Sequence, residues 1–567
     1  MKPLGFAPRA AVVGLALACG AITLTSTPAA ARQWLPKVDA RAVRLAPVRP
    51  IGLPSDAELQ QSGAVIGEIK IRANPIFDTT RPEEDAELFR LANKLHIRTK
   101  QDTIATQLLF APGDRYDPRL LEETARLLRN TRYLQEAYVT PVAFRDGRVD
   151  VEVVTYDVWT LNPGVSFGRK GGRNTSGFEI EELNLLGTGS RLSATRRSDI
   201  DRTSTTFIYN DRQLAGTWWE FDVRYSDNSD GRTEGLTLDH DFFALDSRWA
   251  AGLQSLNDER VDPRYDLGVQ NGEYRHRSRF ANVYGGWSAG LENGVVLRWR
   301  AGYTYDDRRF ERVLGSPYRS VPPPDRKLAY PWVSAEWLQD DFRVLRNRDQ
   351  IERTEDFRYG WRVTGLLGRA SRSLGADRDS WIFTAGASRG LDLDTLGSLL
   401  FDSTLQGRYE RSQFANTVLT VSGRYYLRQS ERRLLYASLN ADIGHALDAD
   451  RQMTLGGDSG LRGYPLRYQG GQGRWLFTLE QRAFTNWYPF RLVNVGAAAF
   501  VDVGRSFGRN PFGTPSRGIL TDVGVGLRLG NNRSALGNVL HVDLAMPLQR
   551  DRSIKSLQFL IETKRSF

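Results

Sequence analysis

From about residue 160 to its C-terminus, the chain repeats short segments in which apolar and polar residues alternate. In one of them Val295, Leu297 and Trp299 alternate with Arg298 and Arg300. A period of two places successive side chains on opposite faces of a β-strand. One face of these strands is therefore apolar and aromatic, and the other is charged. This part of the chain is predicted to be β-structure, and the whole chain mostly β.

Such strands fit either a transmembrane β-barrel or a secreted array of β-sandwiches. In a barrel the apolar face meets lipid and the charged face lines a wet lumen. Short connections at 187–189 and 213–216 alternate with long polar ones at 257–278 and 306–330, and this favours the barrel. The alternating last segment, which ends on Phe567, fits an outer-membrane protein. Counting segments by pattern gives up to about 20 strands.

The first 31 residues are typical of a secretory signal peptide. Lys2 and Arg9 accompany an apolar stretch at 10–24, and small alanines precede Arg32. The single cysteine, Cys19, lies in this segment, so the mature chain is expected to have no disulfide. The next stretch, 32–64, is predicted to be a linker because it shows no sustained period.

Residues 65–158 have a mixed pattern that predicts a small domain of helices and strands. Strands are predicted at 65–71, 137–144 and 149–156, and helices at 102–110 and 117–129. Asp117 is the predicted N-cap of the second helix, because Pro118 suits a first helical position. The order is β-α-α-β-β, with an insertion at 75–98.

Four motifs together resemble the Omp85 superfamily, which includes the BamA and TamA assembly proteins, the surface-antigen D15-type barrels and the two-partner secretion transporters. Leu461-Arg-Gly-Tyr-Pro465 is similar to the loop-six motif, and Phe500-Val-Asp-Val-Gly504 to a strand motif of these barrels. Asn184–Gly189 resembles their first periplasmic turn. The domain at 65–158 resembles a POTRA domain through five signature residues, which are Gly113, Tyr116, Leu127, Leu128 and Tyr133.

The resemblance implies a 16-strand barrel over 159–567, with loop 447–473 folded inward, behind one POTRA domain in the periplasm. It implies a protein of the Gram-negative outer membrane that inserts or exports client proteins without a cofactor. The client would be an unfolded β-barrel or secreted protein captured by the POTRA domain, with an accessory protein of the periplasm or inner membrane as a further candidate partner. The alternatives are a secretion pore for one dedicated substrate and a structural or passive channel.

The alternation itself predicts where the loop docks. If Trp475, Phe477 and Leu479 face lipid, Glu480 faces the lumen, and the same argument turns Phe500, Asp502 and Gly504 inward. We therefore expect Arg462 to bind Asp502, with Glu480 as second acceptor, because a guanidinium can donate two parallel hydrogen bonds to one carboxylate. Gly463 would give the turn its backbone freedom, and Tyr464 would pack on Phe500. The alternative is a solvated loop.

No catalytic or metal site is predicted. Gly286-Trp-Ser-Ala-Gly290 matches a nucleophile-elbow motif, but it lies in or at the end of a predicted strand, whereas the elbow needs a strand-to-helix turn. The five histidines show no metal-ligand spacing. The formal charge of +10 suggests contact with outer-membrane lipid and lipopolysaccharide rather than with nucleic acid, or it simply reflects solvated arginines. The chain is therefore not expected to be an enzyme.

Overall fold

A small three-stranded sheet and a large closed barrel make up this computed structural model. The structure describes residues 47–564 except 352, 394–396, 532, 536–538 and 552. The predicted signal peptide and Phe567 lie outside the described residues. No helix in these ranges is long and apolar enough to cross a membrane.

The N-terminal domain holds the helices and a sheet of order β1-β3-β2, in which β1 is parallel to β3 and β2 is antiparallel to it. Its helix α4 begins as predicted, because the Asp117 side chain accepts the Arg119 N–H and Pro118 takes the first helical position. The elements are α1 (Asp56–Gln61), β1 (Val65–Asn74), α2 (Glu87–Leu95), α3 (Gln101–Ala105), α4 (Pro118–Arg129), β2 (Leu134–Arg145) and β3 (Arg148–Asp157).

Three short segments of this domain differ from the prediction. Residues 56–61, assigned to the linker, form α1, whose Leu59 is fully buried in the domain core. The insertion at 75–98 contains helix α2, and α3 ends at Ala105 rather than at residue 110. One or two helical turns carry too few apolar residues to show a period, and their packing decides whether they form.

Twenty strands close into one antiparallel barrel within the described residues, so the pattern count is confirmed and the 16 strands implied by the resemblance are wrong. The barrel strands are β4 (Leu161–Lys170), β5 (Arg173–Leu185), β6 (Ser190–Ser198), β7 (Thr203–Asp211), β8 (Glu220–Asn228), β9 (Gly231–His240), β10 (Trp249–Asp266), β11 (Val269–Glu292), β12 (Val295–Glu311), β13 (Arg326–Gln339), β16 (Arg362–Ala370), β17 (Ser380–Asp392), β18 (Gly397–Glu410), β19 (Gln413–Ser430), β20 (Arg433–His445), β23 (Gly473–Phe484), β24 (Asn494–Phe507), β25 (Leu520–Gly530), β26 (Val539–Pro547) and β27 (Gln558–Lys564).

Two small strand pairs interrupt the barrel sequence. The hairpin of β14 (Phe342–Arg346) and β15 (Thr354–Arg358) lies between β13 and β16. The pair of β21 (Met453–Leu455) and β22 (Gln469–Gly471) lies between β20 and β23, within the loop predicted to fold inward. These two pairs belong to the segments that fill the lumen, as the site geometry below shows.

The two faces of the barrel strands are as different as the sequence predicts. Leu297 and Trp299 on β12 are exposed on the outside, whereas Arg298 between them is buried. A closed barrel with an apolar exterior leaves no unpaired edge to lipid and is suited to span a membrane.

One predicted long loop is wrong. Residues 257–278 are mostly the paired ends of β10 and β11, which meet at a tight turn at Leu267 and Gly268. Polar residues occupy both faces there, so the sequence looks like a loop although the backbone ladder continues. Outside a membrane, strands have no need for an apolar face.

Candidate functional site

Arg462 lies inside the barrel among three carboxylates. Its Nε and Nη2 donate to the two oxygens of Asp502 at 2.7 and 3.0 Å. Its Nη1 donates to Glu480 at 3.2 Å and lies 3.5 Å from Asp543. All four side chains are buried. The loop is therefore held in the lumen by a charge-assisted, bidentate contact of the strongest kind that side chains make.

Phe500 and Asp522 complete the binding of the loop tip. The guanidinium carbon of Arg462 lies 3.2 Å from the centre of the Phe500 ring, so the cation is stacked on an aromatic face. The Gly463 N–H donates to Asp522 at 2.9 Å. A Cβ at position 463 would lie 2.6 Å from the Asp522 Cβ, so glycine is needed there for close approach.

The prediction that Tyr464 packs on Phe500 is wrong, because the Arg462 guanidinium covers the face of that ring. The Tyr464 hydroxyl donates to the Thr521 carbonyl at 3.0 Å, and its ring belongs to an apolar cluster with Leu461, Tyr468 and other residues. Gly504 lies beside this cluster, since a Cβ there would meet the Leu455 side chain at 3.0 Å. The loop thus has a polar tip and an apolar base.

The hairpin of β14 and β15 enters the lumen from the end that carries the N-terminal domain. Its tip is built around Glu355, whose side chain accepts the backbone N–H groups of Arg348 and Asp349 at 3.0 and 3.1 Å. Ile351 at the tip is buried in a cluster that lines the barrel wall. The cluster comprises Tyr426, Leu434, Phe484, Ala498 and Val539.

Polar contacts from the wall also hold this tip. Asp349 accepts the Tyr426 hydroxyl at 2.7 Å and an Arg424 N–H at 2.9 Å. Arg482 on β23 donates to the Arg348 carbonyl at 2.8 Å. The hairpin tip is therefore packed against the inner wall of the barrel.

The base of the same hairpin is bound to the N-terminal domain. Arg129 on α4 makes a bidentate contact with Asp356 at 2.9 and 2.6 Å, and both side chains are nearly inaccessible. The Thr354 hydroxyl donates to Glu136 at 2.6 Å, and Arg353 donates to the Leu134 carbonyl on β2 at 3.2 Å. One hairpin thus contacts both the domain and the lumen wall.

The N-terminal domain also forms hydrogen bonds with the turns that join barrel strands. Asp157, fully buried, accepts the N–H and hydroxyl of Thr99, and Asn184 in the first turn donates to that same hydroxyl at 2.9 Å. Glu123 on α4 accepts the Leu245 N–H in the turn after β9 at 2.8 Å. Burial raises the pKa of Glu123, and burial likewise raises the pKa of Glu136.

The barrel is closed weakly between its first and last strands. Strand β4 pairs with β5 along its whole length, from Leu161 to Lys170. With β27 it pairs, within the described residues, at a single position, where Arg169 lies opposite Ile561. An ion pair between Lys170 and Glu562 lies beside this position. This junction is here called the seam.

Solved structures with a similar fold include bacterial outer-membrane proteins, at low identity. No family model and no curated protein matches the chain. BamA from Haemophilus ducreyi lacking POTRA domains 1–3 has 12% identity and a TM-score of 0.39, with 88% of this chain and 84% of that chain covered. CdiB from Acinetobacter baumannii has 12% identity and a TM-score of 0.41, with 89% of this chain and 74% of that chain covered. CdiB from Escherichia coli has 13% identity and a TM-score of 0.44, with 89% of this chain and 77% of that chain covered.

The chain folds as a closed β-barrel with an apolar exterior, as barrels that span a membrane do. The apolar exterior of the closed barrel is the observation that assigns it to the membrane. A loop folded into the lumen and a small domain that precedes the barrel are both present in the described residues.

The five predicted signature residues of the POTRA-like domain serve its packing. Gly113 lies in a turn with a φ of +93°, and its own N–H donates to the Ile66 carbonyl. Tyr116 is buried with its hydroxyl donating to Asp56 at 2.7 Å. Leu128 is fully buried, Leu127 is half-buried, and the Tyr133 hydroxyl accepts from Gln107 at 2.6 Å.

Sequence reasoning missed two acidic partners of the loop. Neither Asp543 nor Asp522 is among the predicted partners of the loop. The alternation of Leu540, Val542 and Leu544 turns Asp543 inward by the argument that found Asp502. The alternation of apolar residues on β26 therefore suffices to predict that Asp543 faces the lumen. The Asp522 contact depends on the path of the loop and could not be read locally.

The serine of the elbow-like motif lies in strand β11. Ser288 is fully buried, and its hydroxyl donates to the Leu297 carbonyl on β12 at 2.9 Å. A strand position bonded in this way differs from the exposed strand-to-helix turn that the elbow needs. That the chain is not an enzyme stays a prediction.

Proposed function

We propose that this protein inserts or translocates client proteins at the outer membrane, without a cofactor or nucleotide. The observation that carries the proposal is the seam. Every other barrel strand in the described residues is joined to its neighbours by extended ladders, whereas β4 and β27 meet at one position. An unpaired strand edge is a template for another strand. A client strand could add to β4 here while the rest of the barrel stays intact.

The seam edge is also apolar on its outer face. Val165 on β4 is 85% exposed, and Leu161 and Phe167 are exposed as well. Backbone groups left unpaired in lipid cost several kcal/mol each, so that an incoming strand would be stabilised by pairing with them. A passive channel gains nothing from such an edge.

The POTRA-like domain would supply the client. Its sheet has two edge strands, β1 and β2, and strand addition at a sheet edge is a general mode of peptide capture. At β2, the Leu134 carbonyl already accepts from Arg353, and the Ala137 carbonyl accepts from Arg129. An added strand would compete for these carbonyls. Because Arg129 also holds Asp356, capture at β2 would loosen the hairpin that is packed in the lumen.

A reversible lock of the seam tests the proposal. The change is Arg169→Cys with Ile561→Cys, which are partners across the seam, in the mature chain from residue 32, which has no cysteine. The matched control is Val165→Cys with Phe178→Cys, partners on the other side of β4. The measurement compares the outer-membrane proteome with each variant, oxidised and reduced, in cells lacking the native protein.

The expected result is loss of client proteins with the oxidised seam lock, recovery on reduction, and no loss with the control. Activity that is unaffected by a fully formed seam lock would overturn the proposal. Loss of one exported protein alone would point to a dedicated secretion pore. Conductance in planar bilayers with an unchanged proteome after deletion of the gene would instead support a passive channel.

A further inference from the structure

Helix α2 of the POTRA-like domain has a broad apolar face, of which one part is exposed and another part is buried. Leu88, Leu91 and Leu95, spaced as one face of a helix, are 60, 52 and 63% exposed. At the edge of the same face Phe89 is buried and stacks on Phe77 with ring centres 4.2 Å apart. Exposed leucines grouped on one part of a helix are typical of a surface that contacts a membrane or a partner.

The buried part of this face fixes α2 to the rim of the barrel. The cluster around Phe77 and Phe89 includes Trp159, just before β4, and Leu492 in the turn between β23 and β24. Arg533, in the turn after β25, donates to the Ile76 carbonyl at 3.0 Å and pairs with Glu84 in the segment that leads into α2. The helix therefore stands at the domain end of the barrel wall.

The same rim carries aromatic residues that are typical of a membrane interface. In the turn that provides Leu492, Trp487 is 54% exposed and Phe490 is 84% exposed. Aromatic girdles on barrels lie at the level of the lipid headgroups. Helix α2 is thus packed against the turn that carries these exposed aromatic residues.

The polar residues at the C-terminal side of the exposed leucines are basic, whereas the acidic Glu83, Asp85 and Glu87 lie at the N-terminal side. Lys94, Arg98 and Lys100 are exposed on and after the helix, and Ile97 among them is exposed too. Apolar residues with adjoining lysine and arginine are typical of helices that lie in the interface of an anionic bilayer. A protein partner would not require this charge.

We propose that α2 lies in the periplasmic leaflet of the outer membrane and binds anionic phospholipid. Leu88, Leu91 and Leu95 contact acyl chains, and Lys94 and Arg98 contact headgroup phosphates. This proposal requires only that the barrel spans the membrane, and it does not depend on whether the protein inserts or translocates clients. It makes the membrane itself a ligand of the POTRA-like domain, next to the start of β4.

Site-directed spin labelling tests this directly. The mature chain from residue 32, which has no cysteine, is folded into vesicles of phosphatidylethanolamine and phosphatidylglycerol, with one nitroxide at Leu91→Cys. The control label is at Arg145→Cys, an exposed position at the β2–β3 turn of the same domain. Collision rates with oxygen, which is enriched in lipid, and with a water-soluble nickel chelate are compared.

The expected result is that the label at 91 collides more with oxygen and the label at 145 more with nickel. Equal, water-like behaviour of both labels would overturn the proposal. A second variant carries the label at 91 together with Lys94→Glu and Arg98→Glu. It is expected to become at least about twofold more accessible to nickel in these vesicles and to be unchanged in phosphatidylcholine vesicles. An unchanged label in both lipids would refute the anionic contact.

Discussion

Two segments enter the barrel from opposite ends and are held there by different forces. The loop at 446–472 is held by buried Arg462 among three carboxylates of the barrel wall and by an apolar cluster at its base. The hairpin at 342–358 is held by an apolar tip in the lumen and by a base bound to the N-terminal domain. The loop therefore depends on the wall alone. The hairpin contacts both the wall and the N-terminal domain. Of the two segments, only the hairpin can therefore respond directly to what the domain binds.

The largest effect is expected from Arg462→Ala in the loop. Without this cation the buried Asp502 loses its bidentate partner, while Arg482 and Arg528 still contact Glu480 and Asp543, and the free energy of unfolding should fall by about 3–5 kcal/mol. Urea unfolding of the protein in lipid vesicles measures this. Arg467→Ala is the control, because Arg467 belongs to the same loop but its ion pair with Asp201 is partly exposed, and about 1 kcal/mol or less is expected. Similar losses from both variants would contradict the assigned anchor.

A smaller effect is expected from Arg129→Ala, which detaches the hairpin from the domain. The loss should be about 1.5–3 kcal/mol, and a double-mutant cycle with Asp356→Ala should show that most of it is shared between the two residues. Limited proteolysis should detect a freed hairpin. Arg72→Ala, whose contact with Glu152 is long and exposed, should change neither stability nor cleavage. Additive losses at 129 and 356 would refute the coupling.

Locking the hairpin in the lumen distinguishes the two segments by function. A Cβ at Gly530 would lie 3.4 Å from the Ile351 Cβ, close to the spacing of a disulfide, so Ile351→Cys with Gly530→Cys should cross-link. Client insertion should stop on oxidation and return on reduction. Arg224→Cys with Gly235→Cys, where the corresponding separation is 3.7 Å, places a similar cross-link in the wall and should have no effect. Full activity of the oxidised hairpin lock would show that the hairpin need not move.

The smallest effect is a change in pH dependence at the base of the hairpin. Burial raises the pKa of Glu136, although Arg129, Arg346 and Arg353 face it. A carboxyl with a raised pKa contributes stability below its unfolded pKa and loses it as the pH rises through the folded pKa. Glu136→Gln should keep the Thr354 contact and flatten this dependence above about pH 4.5. An unchanged slope of stability against pH would show that Glu136 does not titrate there.

The loop was predictable because its anchor rests on local periods. Alternation on β23 and β24 turned Glu480 and Asp502 inward, and the motif supplied Arg462. The hairpin gave no comparable signal, because its tip residues Asp349 and Ile351 acquire a role only through contacts more than 70 residues away. Helix α2 was missed for a similar reason, since its leucines lie in an insertion too short to show which face is covered.

The sequence by itself determined the strands, their two faces and the inward direction of the carboxylates that bind Arg462. These are local properties, because a period of two fixes the face of every side chain in a strand. The tertiary structure decided the closure at 20 strands, the single pair at the seam and the hairpin that joins the domain to the lumen. Closure and filling depend on registers and contacts between residues far apart in the chain, and no local pattern records them.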